Sequence, residues 1–112
     1  MDTSRVVLCA SNAYEKKYYF NEEFNLLPDN VKDELRIICT LYTEEVGGIF
    51  SFVFEEDGEL VMETNADEED LLYDEIGAGL LIHQIQNHRQ DLFEQLNMFY
   101  RVFFLGEGLE DE

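Results

Sequence analysis

The side chains most able to do chemistry are two histidines, two cysteines and a dense set of carboxylates. His83 and His88 stand five residues apart, whereas two imidazoles reach one metal from a helix at a spacing of four. Neither belongs to an HExxH motif, so ordinary surface or rim histidines are expected. Cys9 and Cys39 lie thirty residues apart with no CxxC and no Cys/His cluster, which reads first as two reduced thiols and second as a disulfide. Gly77 and Gly79 lack the third glycine of a dinucleotide fingerprint, position 82 being Ile82, and they follow acids rather than a strand. No GxxxxGK[ST] loop occurs, and Ser11 has no GxSxG elbow around it. Asp74 and Glu75 are paired acids, but neighbours on a helix point apart. No catalytic, metal-binding or cofactor-binding residue is assigned, and no cofactor is expected.

The carboxylates are better read as a surface. As a calcium loop with Gly58 at position 6, the stretch from Val53 to Thr64 places Glu55 and Asp57 well but puts valine at position 1 and threonine at position 12. The window from Asn65 to Ile76 fails at position 6, which is Asp70, and at position 12, which is Ile76. The formal charge of -19 exceeds the magnitude of about 2 to 8 that solubility alone asks for. The 52 residues from Ile37 to His88 hold thirteen acids and neither lysine nor arginine. Such a chain lacks the basic footprint that nucleic acid or an anionic membrane requires of a direct partner. It suits a basic protein instead, and the candidate interaction surface is Glu55, Glu56, Asp57, Glu59, Asp67, Glu68, Glu69, Asp70 and Asp74.

These acids must be carried by a folded domain, because 46% of the residues are hydrophobic and 13% aromatic, too many for a charge-driven disordered chain. The length of 112 residues suits one α+β domain over 1–106, with 107–112 as a flexible acidic tail. The central element is a β-hairpin over about 49–64, where Phe50, Phe52 and Phe54 alternate with Ser51 and Val53. A two-residue turn at Asp57-Gly58 would set Phe52 opposite Glu63. A three-residue turn, Glu56-Asp57-Gly58 with Gly58 left-handed, sets Phe52 and Phe54 opposite Met62 and Leu60 and makes one apolar face. Val6 to Cys9 predicts a short strand, and Tyr14 to Phe20 its partner in an N-terminal hairpin over about 5–20, although Tyr14 and Tyr18 also stand one helical turn apart. The three tyrosines Tyr14, Tyr18 and Tyr19 with Lys16 and Lys17 read either as a recognition surface or as core rings with rim hydroxyls.

Three helices complete the prediction. The first, about 28–46, opens at Pro28 and carries Val31, Leu35, Ile38 and Tyr42, with Ile37 and Leu41 widening the stripe. The second, about 67–85, is capped at Asn65 with Leu72, Ile76 and Leu80 on one face. The third, about 87–105, has ten apolar residues among the fourteen from Leu92 to Leu105, more than a small sheet covers, so a homodimer through this helix is expected. No run is long and apolar enough to span a membrane, and a cytoplasmic protein is the simplest reading.

The segments Val6-Val7-Leu8-Cys9, Ala13 to Asn21, Glu44 to Ile49, Asp74 to Gly77 and Val102 to Gly106 together resemble a family of short, acidic, functionally uncharacterised proteins of anaerobic Gram-positive bacteria. The resemblance spans nearly the whole chain and implies a bacterial cytoplasmic setting, but no activity, cofactor or functional residue. Two functions therefore compete: a noncatalytic interaction or regulatory protein that meets a basic partner, and an enzyme or metal-binding protein whose site forms only in the fold. The first wants acids spread over an open surface; the second wants a few of them converging in a pocket. A subunit of a larger assembly would instead show exposed apolar area.

The crowding of thirteen acids has a physical consequence. Raising sodium chloride from about 0.01 M to about 1 M shortens the Debye length from about 30 Å to about 3 Å, which screens the repulsion that folding concentrates. The melting temperature is expected to rise over that range. A melting temperature flat in salt would show these carboxylates to be paired or already well solvated.

Overall fold

The computed structural model describes residues 5–104 and Gly106; the acidic tail expected over 107–112 lies outside the described residues. Four strands, β1 (Val6–Asn12), β2 (Lys17–Phe20), β3 (Ile49–Phe54) and β4 (Leu60–Asn65), form one antiparallel sheet in the order β2-β1-β3-β4. Three helices, α1 (Asp29–Val46), α2 (Glu75–His88) and α3 (Gln90–Phe103), make it an α+β fold.

The hairpin adopts the three-residue register. Phe52 pairs with Met62 and Phe54 with Leu60. The Glu55 carbonyl accepts from the Gly58 amide at 2.8 Å, and the Glu55 amide donates to the Glu59 carbonyl at 2.9 Å. Gly58 sits at φ 87°, the left-handed position that closes such a turn. Phe50, Phe52 and Phe54 are each fully buried on the inner face of the sheet. From α1, Tyr42 stacks on Phe50 at 4.3 Å; from α3, Tyr100 stacks on Phe54 at 4.3 Å and Phe93 meets Phe52 edge-on at 5.9 Å. Burying each phenylalanine contributes about 1.5–3 kcal/mol. Phe24, in a 3₁₀ turn at Glu22–Phe24, closes this aromatic layer by stacking on Phe104 at 4.7 Å and on Phe54 at 5.5 Å.

The N-terminal hairpin also forms, and its strand β1 is central rather than peripheral: it pairs with β2 on one side and β3 on the other. A bulge between Val7 and Cys9 leaves both Leu8 and Cys9 fully buried. Tyr18 and Phe20 lie opposite Ser11 and Cys9 on the inner face. Tyr14, expected in the strand, lies instead in the turn, because the Asn12 side chain accepts from the amides of Tyr14 and Glu15 and bends the chain there.

Helix α1 begins one residue after Pro28 and buries Val31, Leu35, Ile38 and Tyr42 as expected. Its stripe widens toward Cys39, Thr43 and Val46; Ile37 and Leu41 are 53% and 52% exposed because the sheet approaches from the other side. At its end, Gly48 is enforced by space as well as by its φ of 74°. A Cβ there would fall 2.5 Å from the Asn65 carbonyl oxygen and 2.8 Å from the Tyr73 ring.

The second helix differs most from expectation. It runs 75–88 rather than 67–85, and Asp74, not Asn65, caps it by accepting from the Gly77 amide at 2.9 Å. Asn65 is taken by β4, where it pairs with Ile49. The acids that follow favour turns, since an aspartate bonds nearby amides outside a helix and like charges one turn apart repel. The Asp70 amide donates to the Asp67 carbonyl at 3.0 Å, and the Asp70 side chain accepts from the Leu72 amide at 3.1 Å. Leu72, Ile76 and Leu80, expected on an inward face, are 93%, 79% and 64% exposed, and only Ala78 of α2 is buried. The third helix starts at Gln90 rather than 87, after a break at Arg89, whose Nη1 reaches Glu34 Oε2 at 2.6 Å and ties the joint to α1.

Replacing Gly58 with alanine is expected to destabilise the domain by about 1 kcal/mol or more, because the turn needs a left-handed residue. An unchanged midpoint in chemical denaturation would contradict this.

Candidate interaction site

The nine expected acids fall into two groups at opposite ends of β4, whose six residues span about 20 Å. Glu55, Glu56, Asp57 and Glu59 surround the hairpin tip. There Glu55 is paired with Arg5, its Oε1 3.0 Å from Nε, and the same guanidinium bonds Glu63. Val53, between them on the outer sheet face, is only 2% exposed. Asp57 accepts from the Glu59 amide at 3.0 Å. The tip therefore spends part of its charge on its own turn.

Asp67, Glu68, Glu69, Asp70 and Asp74 lie at the other end, in the segment between β4 and α2. Tyr14 anchors this segment from the N-terminal hairpin: its hydroxyl donates to Asp70 Oδ2 at 2.6 Å and accepts from the Asp67 amide at 3.0 Å. The bond to Asp70 raises the Tyr14 phenol above its ordinary pKa. Tyr73 braces the segment from below, its hydroxyl 3.5 Å from that of Tyr42. Burial, followed by this contact, pushes the Tyr42 phenol well up.

Between this segment and α2 opens a cleft of about 820 Å³. Its lining combines the carboxylates of Asp67, Glu68, Asp70 and Asp74 from the segment, and of Glu75 at the start of α2, with Ile76, Ala78, Gly79 and Ile82 of the helix. Among the described residues no three of His, Cys, Asp or Glu are close enough to hold a metal ion together, so these acids line the cleft without converging. What the arrangement can do is receive a side chain with an aliphatic stem and a cationic end, or several of them in a row.

The apolar wall was not foreseen as part of the site. A signal for it exists in the sequence: residues 76–88 hold no Asp, Glu, Lys or Arg, the longest uncharged run in the chain. Within it Gly77 is explained by the cap, since a Cβ there would lie 2.3 Å from Asp74 Oδ2. Gly79 is not, because a Cβ would meet nothing within 4 Å. Leu71, ahead of the helix, is 91% exposed and extends the apolar surface together with Leu72 and Leu80.

His83 and His88 are exposed, and among the described residues neither joins a group of three or more potential metal ligands. Cys9 and Cys39 do meet, both fully buried and free, with their sulfurs 3.8 Å apart. The contact with Cys9 and the burial push the Cys39 thiol far up, which makes it a poor nucleophile. Ser11 and Thr43, both buried and 2.9 Å apart through their hydroxyl oxygens, extend this β1–α1 seam.

A small α+β domain with an acidic, half-apolar cleft and a largely uncovered helix is the class of protein that these features define. The chain belongs to DUF6145, a family of unknown function, which matches residues 5–108. No curated protein and no solved structure matches it.

Replacing Gly79 with alanine is expected to raise stability by about 1 kcal/mol, since alanine is the better helix former and nothing blocks its methyl group. A denaturation midpoint that falls would show that α2 is packed more closely at Gly79 than its open surroundings allow.

Proposed function

We propose that the protein is a noncatalytic interaction or regulatory protein that docks a basic protein partner in the cleft between residues 65–75 and α2. The observation that carries this reading is the pairing, in one cleft, of five carboxylates with an apolar helix wall. Four of those acids, Asp67, Glu68, Asp70 and Asp74, belong to the surface expected from the sequence. A helix that buries a single residue gives the partner its second source of affinity: exposed leucine and isoleucine side chains return about 25 cal/mol per Å² when covered. Carboxylates around them select the sign of the partner's charge and speed its approach. A bacterial cytoplasm is part of the same reading, supported by two free, buried thiols.

Self-association through the helix expected at 87–105 is the second reading, favoured by Met98 and Phe103, which are 67% and 59% exposed on α3. The rest of that helix is turned inward, with Leu92, Leu96 and Tyr100 buried. Sedimentation separates the two readings, because self-association predicts a dimer at tens of micromolar without any other protein.

The test of the main reading is fluorescence anisotropy with a labelled amphipathic Lys/Leu peptide. Binding is expected to weaken by about tenfold or more when Asp67→Lys and Glu68→Lys are combined, and again with Ile76→Ser. Glu56→Lys with Glu59→Lys, at the far end of β4, is expected to change it little. Equal losses from both charge reversals would reduce the effect to net charge and overturn the cleft.

A further inference from the structure

A second cleft, of about 590 Å³, lies between the β1–β2 hairpin and α1, and its charge is opposite to that of the rest of the protein. Lys16, Lys17 and Arg36 line it. They are three of only seven basic residues in a chain with 26 acids. Among the described residues none of the three forms an ion pair, whereas Arg5, Lys32 and Arg89 each do. Cations left unpaired amid such an excess of carboxylates, and gathered at one concavity, point to an anion from outside the chain. The local fold supports the gathering. Lys16 holds φ 56°, a left-handed conformation that glycine adopts freely and a lysine only at a cost, and the Asn12 side chain pins the turn that imposes it.

The floor of the cleft specifies more than charge. Thr43 directs its hydroxyl proton at the helix carbonyls of Cys39 and Thr40, at 3.3 and 3.2 Å. A Thr43 proton spent on those carbonyls leaves Thr43 Oγ1 to accept from Ser11 Oγ, 2.9 Å away. That leaves the Ser11 lone pairs as acceptors, and they call for a donor on the ligand. Ser11 and Thr43 are 4% and 7% exposed, so this floor is set before any ligand arrives. Among the described residues the Tyr18 hydroxyl, beside it in the wall, is buried with no hydrogen-bond partner. Three cations against the single carboxylate of Glu44 leave a formal excess of two positive charges at the cleft. A phosphate monoester carries about -1.5 to -2 near neutral pH. The volume suits a small ligand, inside the range of about 300–1,000 Å³ for such sites.

We propose that this cleft binds the phosphate monoester of a small polyol. Lys16, Lys17 and Arg36 hold the phosphate, and a ligand hydroxyl donates to Ser11 Oγ. The carboxylates of the acidic cleft do not line this one, although Tyr14 of the same β1–β2 turn holds Asp70.

Calorimetric titration at constant ionic strength with ribose 5-phosphate, inorganic phosphate and ribose tests the assignment. Ribose 5-phosphate is expected to bind about tenfold or more tighter than inorganic phosphate, and ribose not to bind measurably. Combining Lys16→Ala, Lys17→Ala and Arg36→Ala should weaken the sugar phosphate by about tenfold or more while the melting transition remains cooperative, since all three side chains are exposed. Arg101→Ala, which removes a cation elsewhere, should leave binding unchanged. Ser11→Ala should bring the sugar phosphate toward inorganic phosphate without altering the latter. The proposal is overturned if ribose 5-phosphate and inorganic phosphate both fail to bind, if they bind equally, or if the triple variant binds as the unmodified protein does.

Discussion

The rest of the structure depends on the alignment of Phe50, Phe52 and Phe54 on one face of β3. Strand pairing gives two of them apolar neighbours on both sides, Phe52 between Cys9 and Met62 and Phe54 between Val6 and Leu60, while Phe50 lies between Ser11 and Thr64. A slip of one residue on either side would send these partners to the outer face. The rings then act as the platform on which α1 and α3 are laid, through Tyr42, Phe93 and Tyr100. The Leu60 amide, donating to Asn97 Oδ1 at 3.0 Å, adds a directional tie between β4 and α3. Apolar area supplies most of the stabilisation, and this hydrogen bond contributes to orientation.

Helix α2 stands outside that platform. Its inner side, with Leu81 and Ile85, meets α1 across a groove that also exposes Ile37 and Leu41. Its outer side leaves Ile76 and Leu80 79% and 64% exposed among the described residues. A helix held at its ends, by the Asp74 cap and by Arg89 on Glu34, with little core beneath it, is set up to gain from covering its apolar side.

Charge is segregated to the same degree. Arg5 pairs with Glu55 and Glu63 beside the hairpin tip and Arg89 with Glu34 at the α1–α2 joint, while among the described residues Lys16, Lys17 and Arg36 form no ion pair, even though Tyr14 in the same β1–β2 turn holds Asp70 of the acidic segment. Two concavities of opposite sign result, each matched by its lining to a different kind of ligand.

The sequence by itself determined the local elements. The Glu56-Asp57-Gly58 turn and the parity of the phenylalanines decided the hairpin register, and the recurrence of Val31, Leu35, Ile38 and Tyr42 decided α1, because neighbouring residues alone determine both patterns. The acidic half of the candidate site could be named for the same reason: carboxylates in a run are exposed in almost any fold. Where α2 begins was decided by competition between Asn65 and Asp74, and the strand claimed Asn65 only because Ile49 lies beside it in space. That Leu72, Ile76 and Leu80 face outward, and that β1 joins β3 to set Cys9 against Cys39 and Ser11 against Thr43, were tertiary decisions. Periodicity marks which residues share a face, but only the packed sheet and helices settle which face is covered.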